Sequence, residues 1–435
     1  MSSESEVLNR LIKDSSQAAF SLLSAKGRNI FFPKAGILSQ SAEAKGRKVN
    51  ATIGIALEDD GAPMCLGSIA GKVSLPKKDV FPYAPGSGKP ELRAKWKELI
   101  LKKNPSLKSE VSSPIATCAL THGLSIVGYM FIDEGDKVIM PDLYWENYNL
   151  VFHNGFGAEF ELFKAFNSEN TGFNLKGLEE SLKKSSEKKK EDQNKTIVVL
   201  NFPNNPTGYA PTTEEAEAIR DLLVKHADAG NPTLVVCDDA YFGFFYKEEV
   251  FPESLFALLA GASENLLAVK VDGPTKEDYV WGFRVGFLTF GIKGASKDLY
   301  ASLEAKAAGT IRGNVSMAPH LSQSLILSAM GDGGYDEEKA SRFKTMKARY
   351  EEVVKVLKDN PFYGEEFTPL PFNSGYFMCV RIKNKDAEKV RKTLLEKHDT
   401  GVIAQGDLLR IAFSAVKKDA IPGLFKSIYE ACKEC

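Results

Sequence analysis

One alternation constrains this chain more than any other feature. Between about residues 85 and 330, short apolar runs rich in Val, Ile and Leu recur at Asp136–Met140, Lys195–Leu200, Thr233–Cys237 and Leu266–Val271, and longer amphipathic stretches separate them. Runs this short and this apolar read as strands buried on both faces, with the amphipathic segments as the helices that cover them. The prediction is a mostly parallel, doubly wound α/β sheet. Gly331-Asp-Gly-Gly334 then interrupts the pattern. Beyond it Phe343, Met346, Tyr350, Val353, Val354 and Leu357 recur at helical spacing up to Asn360-Pro361, and strands are expected near Tyr376–Ile382 and Leu408–Phe413. Residues 1–70 carry a short helical segment and a strand-like stretch, Lys48–Ala56. The expected division is a large domain over 71–330 and a smaller α+β domain assembled from 1–70 and 331–435, in keeping with 435 residues being long for one core.

Composition narrows the function. Lysine plus arginine number 56 and aspartate plus glutamate 57, a formal net charge of −1. No excess of either sign favours nucleic acid or an anionic membrane as partner. No apolar run reaches membrane-spanning length, and the polar, acidic start lacks the pattern of a signal peptide. The six cysteines are scattered, as expected of free thiols in a reducing compartment, and a cytoplasmic protein is expected. Cys432 and Cys435 form a lone C-x-x-C, read as two thiols on a frayed helix end. The five histidines form no ligand-spaced cluster, so no metal is expected. The charge run Lys183–Lys195 reads as a solvated helix end and loop.

In open parallel sheets, ligands bind beyond the carboxyl ends of the strands. After Leu200 comes Asn201–Gly208 with its Asn205; after Cys237 come Asp238, Asp239 and Tyr241; after Val271 come Thr275, Lys276, Gly282 and Arg284; after Met140 come Tyr144, Trp145 and Tyr148. Each type has a task if the ligand is a phosphorylated aromatic aldehyde. A lysine amine forms an imine with it, and a carboxylate keeps a ring nitrogen protonated. An amide and a phenol reach a ring oxygen, an indole stacks on the ring, and an arginine grips the phosphate. Thr121–Ser125 is expected to open an apolar helix running to Ile132, whose N-terminus suits an anion.

These segments resemble the class I aminotransferases among the fold type I pyridoxal-phosphate enzymes. The resemblance spans about residues 48–413. Asn205–Gly208 resembles the family's N-P-T-G, Asp238–Tyr241 its D-x-x-Y, Lys276–Arg284 its K-x5-G-x-R, Tyr83–Arg93 its Y-x4-G-x3-L-R, and Leu408–Ile411 its C-terminal arginine motif. Five motifs in order weigh far more than one. The resemblance implies pyridoxal 5'-phosphate as cofactor and a homodimer with shared sites. Lys276 would be the lysine that carries the cofactor and moves the proton, with Asp238 on the pyridine nitrogen. Asn205 and Tyr241 would contact the ring oxygen, and Trp145 would stack. Gly123, Leu124, Ser125, Thr275 and Arg284 would surround the phosphate, with Tyr83 arriving from the other subunit. Arg410 would bind the substrate α-carboxylate near Gly54. Gly273 departs from a position where many members carry serine, and Leu124 from one usually small or hydroxylated. The segment around Arg312 is similar to one in aspartate aminotransferases whose arginine crosses to the neighbouring site and binds a distal carboxylate. That implies aspartate, glutamate or an aromatic amino acid as donor and a 2-oxoacid such as 2-oxoglutarate as acceptor. Rival readings are another chemistry on the same scaffold (β-lyase, decarboxylase or cyclopropane-forming synthase) and a cofactor-sensing regulator domain; the latter needs a DNA-binding segment, for which the stretch before residue 48 is short and not basic.

Overall fold

The computed structural model describes residues 3–30, 36–72, 75–187 and 195–435. Its centre is a seven-stranded sheet. We label its strands β1 (Ile115–Thr117), β2 (Lys137–Pro141), β3 (Glu159–Phe163), β4 (Thr196–Asn201), β5 (Thr233–Asp238), β6 (Leu266–Asp272) and β7 (Gly286–Gly291). Their order across the sheet is β1-β7-β6-β5-β4-β2-β3, and only β7 runs against the rest. The four predicted strands are β2, β4, β5 and β6. The strands β1, β3 and β7 were not singled out in the sequence.

Successive residues of the central strands enter opposite cores. Ile197, Val199, Val236 and Val269 point to one side, where helix α2 (Ala119–Phe131) supplies Leu124 and Val127. Val198, Leu200, Val235 and Cys237 point to the other, against Ala216, Ile219 and Leu223 of α4 (Thr213–Asp228). This is why the strands read as unbroken apolar runs rather than alternating ones. Helix α4 starts at a capping box, in which Thr212 accepts from the Glu215 N–H and Glu215 accepts from the Thr212 N–H. The remaining helices used below are α1 (Pro90–Lys103), α3 (Leu175–Glu187), α5 (Pro274–Glu277), α6 (Lys297–Asn314), α7 (Tyr335–Asp359), α8 (Ala387–Lys397) and α9 (Ile421–Glu434). Of the charge run, α3 takes the start, and residues 188–194 lie outside the described residues.

A second core joins both ends of the chain. It holds Met346, Tyr350 and Val353 of α7, Leu424, Phe425 and Ile428 of α9, and Ala51, Ala56, Met64 and Ile69 from the N-terminal part. Its four-stranded sheet is antiparallel, in the order β10 (Ile403–Gln405), β11 (Leu408–Ile411), β9 (Met378–Ile382), β8 (Phe367–Pro369). The buried Arg349 ties these ends together, donating to the carbonyls of Ser414 and Leu57.

Two expectations need correction. The strand expected over Lys48–Ala56 shrinks to Val49–Asn50, paired in parallel with Thr400–Gly401. The Asn50 side chain accepts from both the N–H and the hydroxyl of Thr52, and this local turn replaces ladder pairing. The C-terminus is not frayed: α9 runs to Glu434, Cys432 is fully buried, and the Cys435 thiol lies 3.3 Å from the Thr393 hydroxyl of α8.

Candidate active site

Beyond the carboxyl ends of β4, β5 and β6, a cavity of about 380 Å³ opens between the large sheet and the second core. Lys276, Asp238, Tyr241, Trp145, Asn205, Thr275, Arg284, Leu124, Gly54 and Arg410 all line it. Residues separated by more than 350 positions therefore meet at one wall.

Asp238 ends β5, buried. Its Oδ2 accepts from the Tyr148 hydroxyl at 2.5 Å, and its Oδ1 from the Ala240 N–H at 3.2 Å. Burial raises its carboxyl above the ordinary carboxylate range, although Tyr148, Lys276 and the Ala240 N–H all favour the charged form. Asn201, the last residue of β4, holds the next stretch in place: its amide donates to the Asp238 carbonyl at 2.8 Å and accepts from the Asn205 N–H at 2.8 Å. The Asn205 side chain in turn accepts from the Arg410 guanidinium at 3.2 Å.

Lys276 sits in the single turn α5. Burial pulls its amine down to about 8, with Asp238 opposing the shift and Arg284 adding to it. The amine lies 4.9 Å from the centre of the Tyr241 ring. Burial raises the Tyr241 hydroxyl, against the nearby Arg410. A buried amine of lowered basicity is what proton transfer near neutral pH requires.

Arg410 is 3 % exposed. Its guanidinium packs 4.5 Å over the Phe377 ring and donates to the Thr52 carbonyl at 3.2 Å, while its Nε has no partner among the described residues. No carboxylate of the described residues pairs with it within 4 Å. A desolvated cation held this way is a receptor for an anion. Lys276, Arg284 and Arg410 against the carboxylate of Asp238 leave the cavity wall with an excess of positive charge, which suits a ligand bearing a phosphate and a carboxylate.

The helix start differs from its predicted place. Helix α2 begins at Ala119, so the free N–H groups of its first turn belong to residues 119–122, and Leu120 and Thr121 line the cavity. Gly123 and Ser125 are not among the lining residues. Gly123 faces the sheet instead, where an added Cβ would stand 3.1 Å from Val271 Cγ1. Leu124 lines the cavity as an apolar wall, past the turn whose N–H groups are free. Ala119 itself has φ of +65°, the conformation glycine adopts at least cost. Applying the strand-end rule to β1 points to these residues, but three residues are too short a run to show in the sequence.

Tyr83 and Arg312 stand apart from this chain's cavity. Tyr83 is 88 % exposed, and Arg312, exposed near the end of α6, donates to the Ser316 hydroxyl at 2.8 Å. Tyr148 and Asn201 are the residues whose part in the site the sequence did not disclose. Tyr148 is buried, meets Trp145 edge-on at 5.7 Å, and donates its hydroxyl to Asp238.

The chain belongs to the aminotransferase class I and II family, whose model matches residues 68–428. It is 29 % identical over 208 residues to a probable aspartate/prephenate aminotransferase of Aquifex aeolicus, covering 47 % of this chain and 48 % of that one. It is 27 % identical over 213 residues to the aspartate aminotransferase of Geobacillus stearothermophilus, covering 47 % of each. The chain thus spans about half the length of these curated relatives. Among solved structures, an aminotransferase from Anaerococcus prevotii superposes with a TM-score of 0.81 at 23 % identity, covering 92 % of this chain and 98 % of that one. The aspartate aminotransferase of Thermus thermophilus with maleate superposes with a TM-score of 0.72 at 19 % identity, covering 94 % and 99 %. These likenesses establish the fold as that of the fold type I aminotransferases.

Proposed function

We propose that the chain is a pyridoxal-phosphate-dependent aminotransferase that moves an amino group from an amino acid to a 2-oxoacid. The observation that carries this reading is one cavity wall holding Lys276, Asp238 and the buried Arg410, whose Nε lacks a partner among the described residues. The donor set fits the cofactor: a carboxylate for a ring nitrogen, Asn205 and Tyr241 for a ring oxygen, Trp145 for the ring face, and Thr275, Arg284 and the first turn of α2 for the phosphate. When bound, pyridoxal phosphate supplies an aldehyde that condenses with amines and a ring that accepts electron density.

The chain's own residues supply the rest. Lys276, with its amine lowered to about 8, takes a proton from the substrate Cα and returns one to the opposite end of the reacting system. Asp238 supplies the negative charge that favours a protonated ring, and the Tyr148 hydroxyl keeps that carboxylate oriented. Arg410 binds the α-carboxylate and turns the Cα–H bond toward Lys276; the Asn205 contact keeps the guanidinium in place.

Aspartate, glutamate or an aromatic amino acid is the proposed donor and 2-oxoglutarate the proposed acceptor. The support is the named activity of the relatives and the position of Arg312 outside its own chain's cavity, as a residue serving a second subunit would be. Arg312→Ala should then lower kcat/KM for aspartate and glutamate by one and a half to four decades, or about 2–5 kcal/mol, while phenylalanine and alanine change little. Equal losses for all four donors would make Arg312 structural and remove the dicarboxylate assignment. A panel of donors against 2-oxoacids also separates transamination from β-elimination, decarboxylation or cyclopropane formation, which release other products.

A further inference from the structure

Lys276 stands on a support that its own helix does not provide. Helix α5 is four residues long, preceded by Gly273 and opened by Pro274, and at Tyr279 the chain takes a left-handed turn, φ +58°. One isolated turn does not hold itself together, and a tyrosine does not favour that conformation. The orientation of Lys276 must come from what grips its neighbours.

Two ion-paired carboxylates follow Lys276 directly in the chain. Glu277 lies 2.5 Å from the Lys103 amine at the end of α1 and 3.0 Å from the Lys339 amine of α7. Asp278, 1 % exposed, is 2.7 Å from the same Lys339 and accepts from the Tyr335 hydroxyl at 2.7 Å. The cluster thus gathers two cations and two carboxylates from three separate stretches of chain. Burial works against ionised Glu277, but Lys103 and Lys339 outweigh it and hold its carboxyl down to about 2. The cluster touches both structural halves of the molecule: α1 belongs to the helices around the large sheet and α7 to the second core. Largely buried ion pairs contribute little stability beyond what apolar packing of the same volume supplies, and in some proteins their role is to specify geometry.

From this arrangement we infer that Glu277 and Asp278, held by Lys103 and Lys339, are positioning residues that fix how far the Lys276 amine is withdrawn from water into the cavity. The inference rests on the reading of Lys276 given under Proposed function. None of the four touches the reacting groups; they act through the backbone of α5, to which the Tyr376 hydroxyl adds a bond at the Lys276 carbonyl, 3.1 Å.

The test uses the cofactor-free full chain. Acylation of Lys276 by acetic anhydride is followed against pH by peptide mass spectrometry, in wild type and in the isosteric variants Glu277→Gln and Asp278→Asn. The groups facing the amine are Asp238, Arg284 and Tyr241, all unchanged. In wild type the midpoint should fall near 8. In each variant a slackened α5 lets water reach the amine, and the midpoint should rise by roughly one pH unit. Loss of a nearby negative charge acts in the opposite direction, so an upward shift reports position and not the missing charge. With cofactor, kcat should fall more than KM changes. A midpoint that stays or falls in every variant that folds, or collapse of both variants, assigns the cluster to stability alone and overturns the inference. Borohydride reduction of wild type with pyridoxal phosphate, mapped on the same peptides, tests the underlying reading separately: a label on another lysine sinks that reading without bearing on the midpoints.

Discussion

Asp238 and Asp239 are neighbours of identical chemistry, and at the end of β5 they turn to different tasks. Asp238 faces the cavity and Tyr148. Asp239 enters the opposite core, where it meets the fully buried Lys270 and accepts from the Ser254 hydroxyl at 2.6 Å. Lys270 has a second carboxylate, Asp272, at 3.6 Å. The two Asn variants should therefore fail in different ways. Asp238→Asn should fold, retain cofactor and lose on the order of two to three decades in kcat, as for a lost preorganised charge. Asp239→Asn should instead cost about 3–5 kcal/mol of stability by leaving Lys270 short of a counter-charge. Urea titrations and steady-state kinetics on both proteins check this, and near-normal kcat in Asp238→Asn would withdraw its role. Lys276 carries a cost of its own. Its folded-state pKa of about 8 lies below the ordinary 10.5, so below pH 8 the folded protein holds a charge that burial disfavours. Between 8 and 10.5 the folded state has lost that proton while the unfolded chain keeps it, and the penalty fades as pH rises. Cofactor-free Lys276→Met should thus melt above wild type at neutral pH, with the gain shrinking across that window. A gain that grows with pH would contradict the assignment. The same variant should have almost no transaminase activity.

At the scale of elements, the loop Asn201–Gly208 shows how a short motif is held. The Gly208 backbone has φ of +71°, and an added Cβ would stand 1.8 Å from the Phe377 carbonyl oxygen. The N–H groups of Asn373 and Ser374 both donate to the Gly208 carbonyl, at 2.9 and 2.8 Å. The glycine is thus the point where the loop after β4 lies flush against the segment entering β9. Gly208→Ala should cost about 2–4 kcal/mol, combining steric overlap with an unfavourable φ. It should also weaken binding of an amino acid's carboxylate, because displaced Asn205 no longer steadies Arg410. Differential scanning calorimetry with inhibitor titration measures both, and an unchanged melting temperature would show that the contact is slack. Helix α2 carries the converse lesson: its first residue is an alanine in glycine's conformation, while the glycine nearby serves packing against β6 and β7.

For the whole molecule, the exposed Tyr83 and Arg312 matter most, since both are expected to act on a neighbouring copy's site. The segment after Tyr83 is firmly anchored. Gly88 has φ of +98° and admits no Cβ against Ala116, and Arg93 donates to the Pro114 carbonyl at 2.6 Å and pairs with Glu304 at 2.7 Å. Tyr83 therefore projects from a fixed base. Mixing Lys276→Ala chains with Tyr83→Phe chains should restore roughly a quarter of the wild-type site count, since half of randomly formed dimers are mixed and each re-forms one intact site. Activity no greater than the sum of the separate variants would count against a shared site. Among the described residues no helix is long and apolar enough to cross a membrane.

Much of this was legible in the amino-acid order alone. Strands buried on both faces leave unbroken apolar runs, so β2, β4, β5 and β6 and the residues just beyond them could be located, Lys276, Asp238 and Asn205 among them. Motif spacing chose Asp238 over Asp239. What the order could not disclose depends on contacts between distant segments. Tyr148 and Asn201 look like a core aromatic and a turn residue until the fold sets them against Asp238. The register of α2 is set by the three-residue strand before it, with no cap side chain to mark the start. Lys103 and Lys339 lie 173 and 63 positions from Lys276, and ordinary surface lysines are written the same way. Only packing removes water from them, and burial is a property of the folded chain that no local pattern encodes.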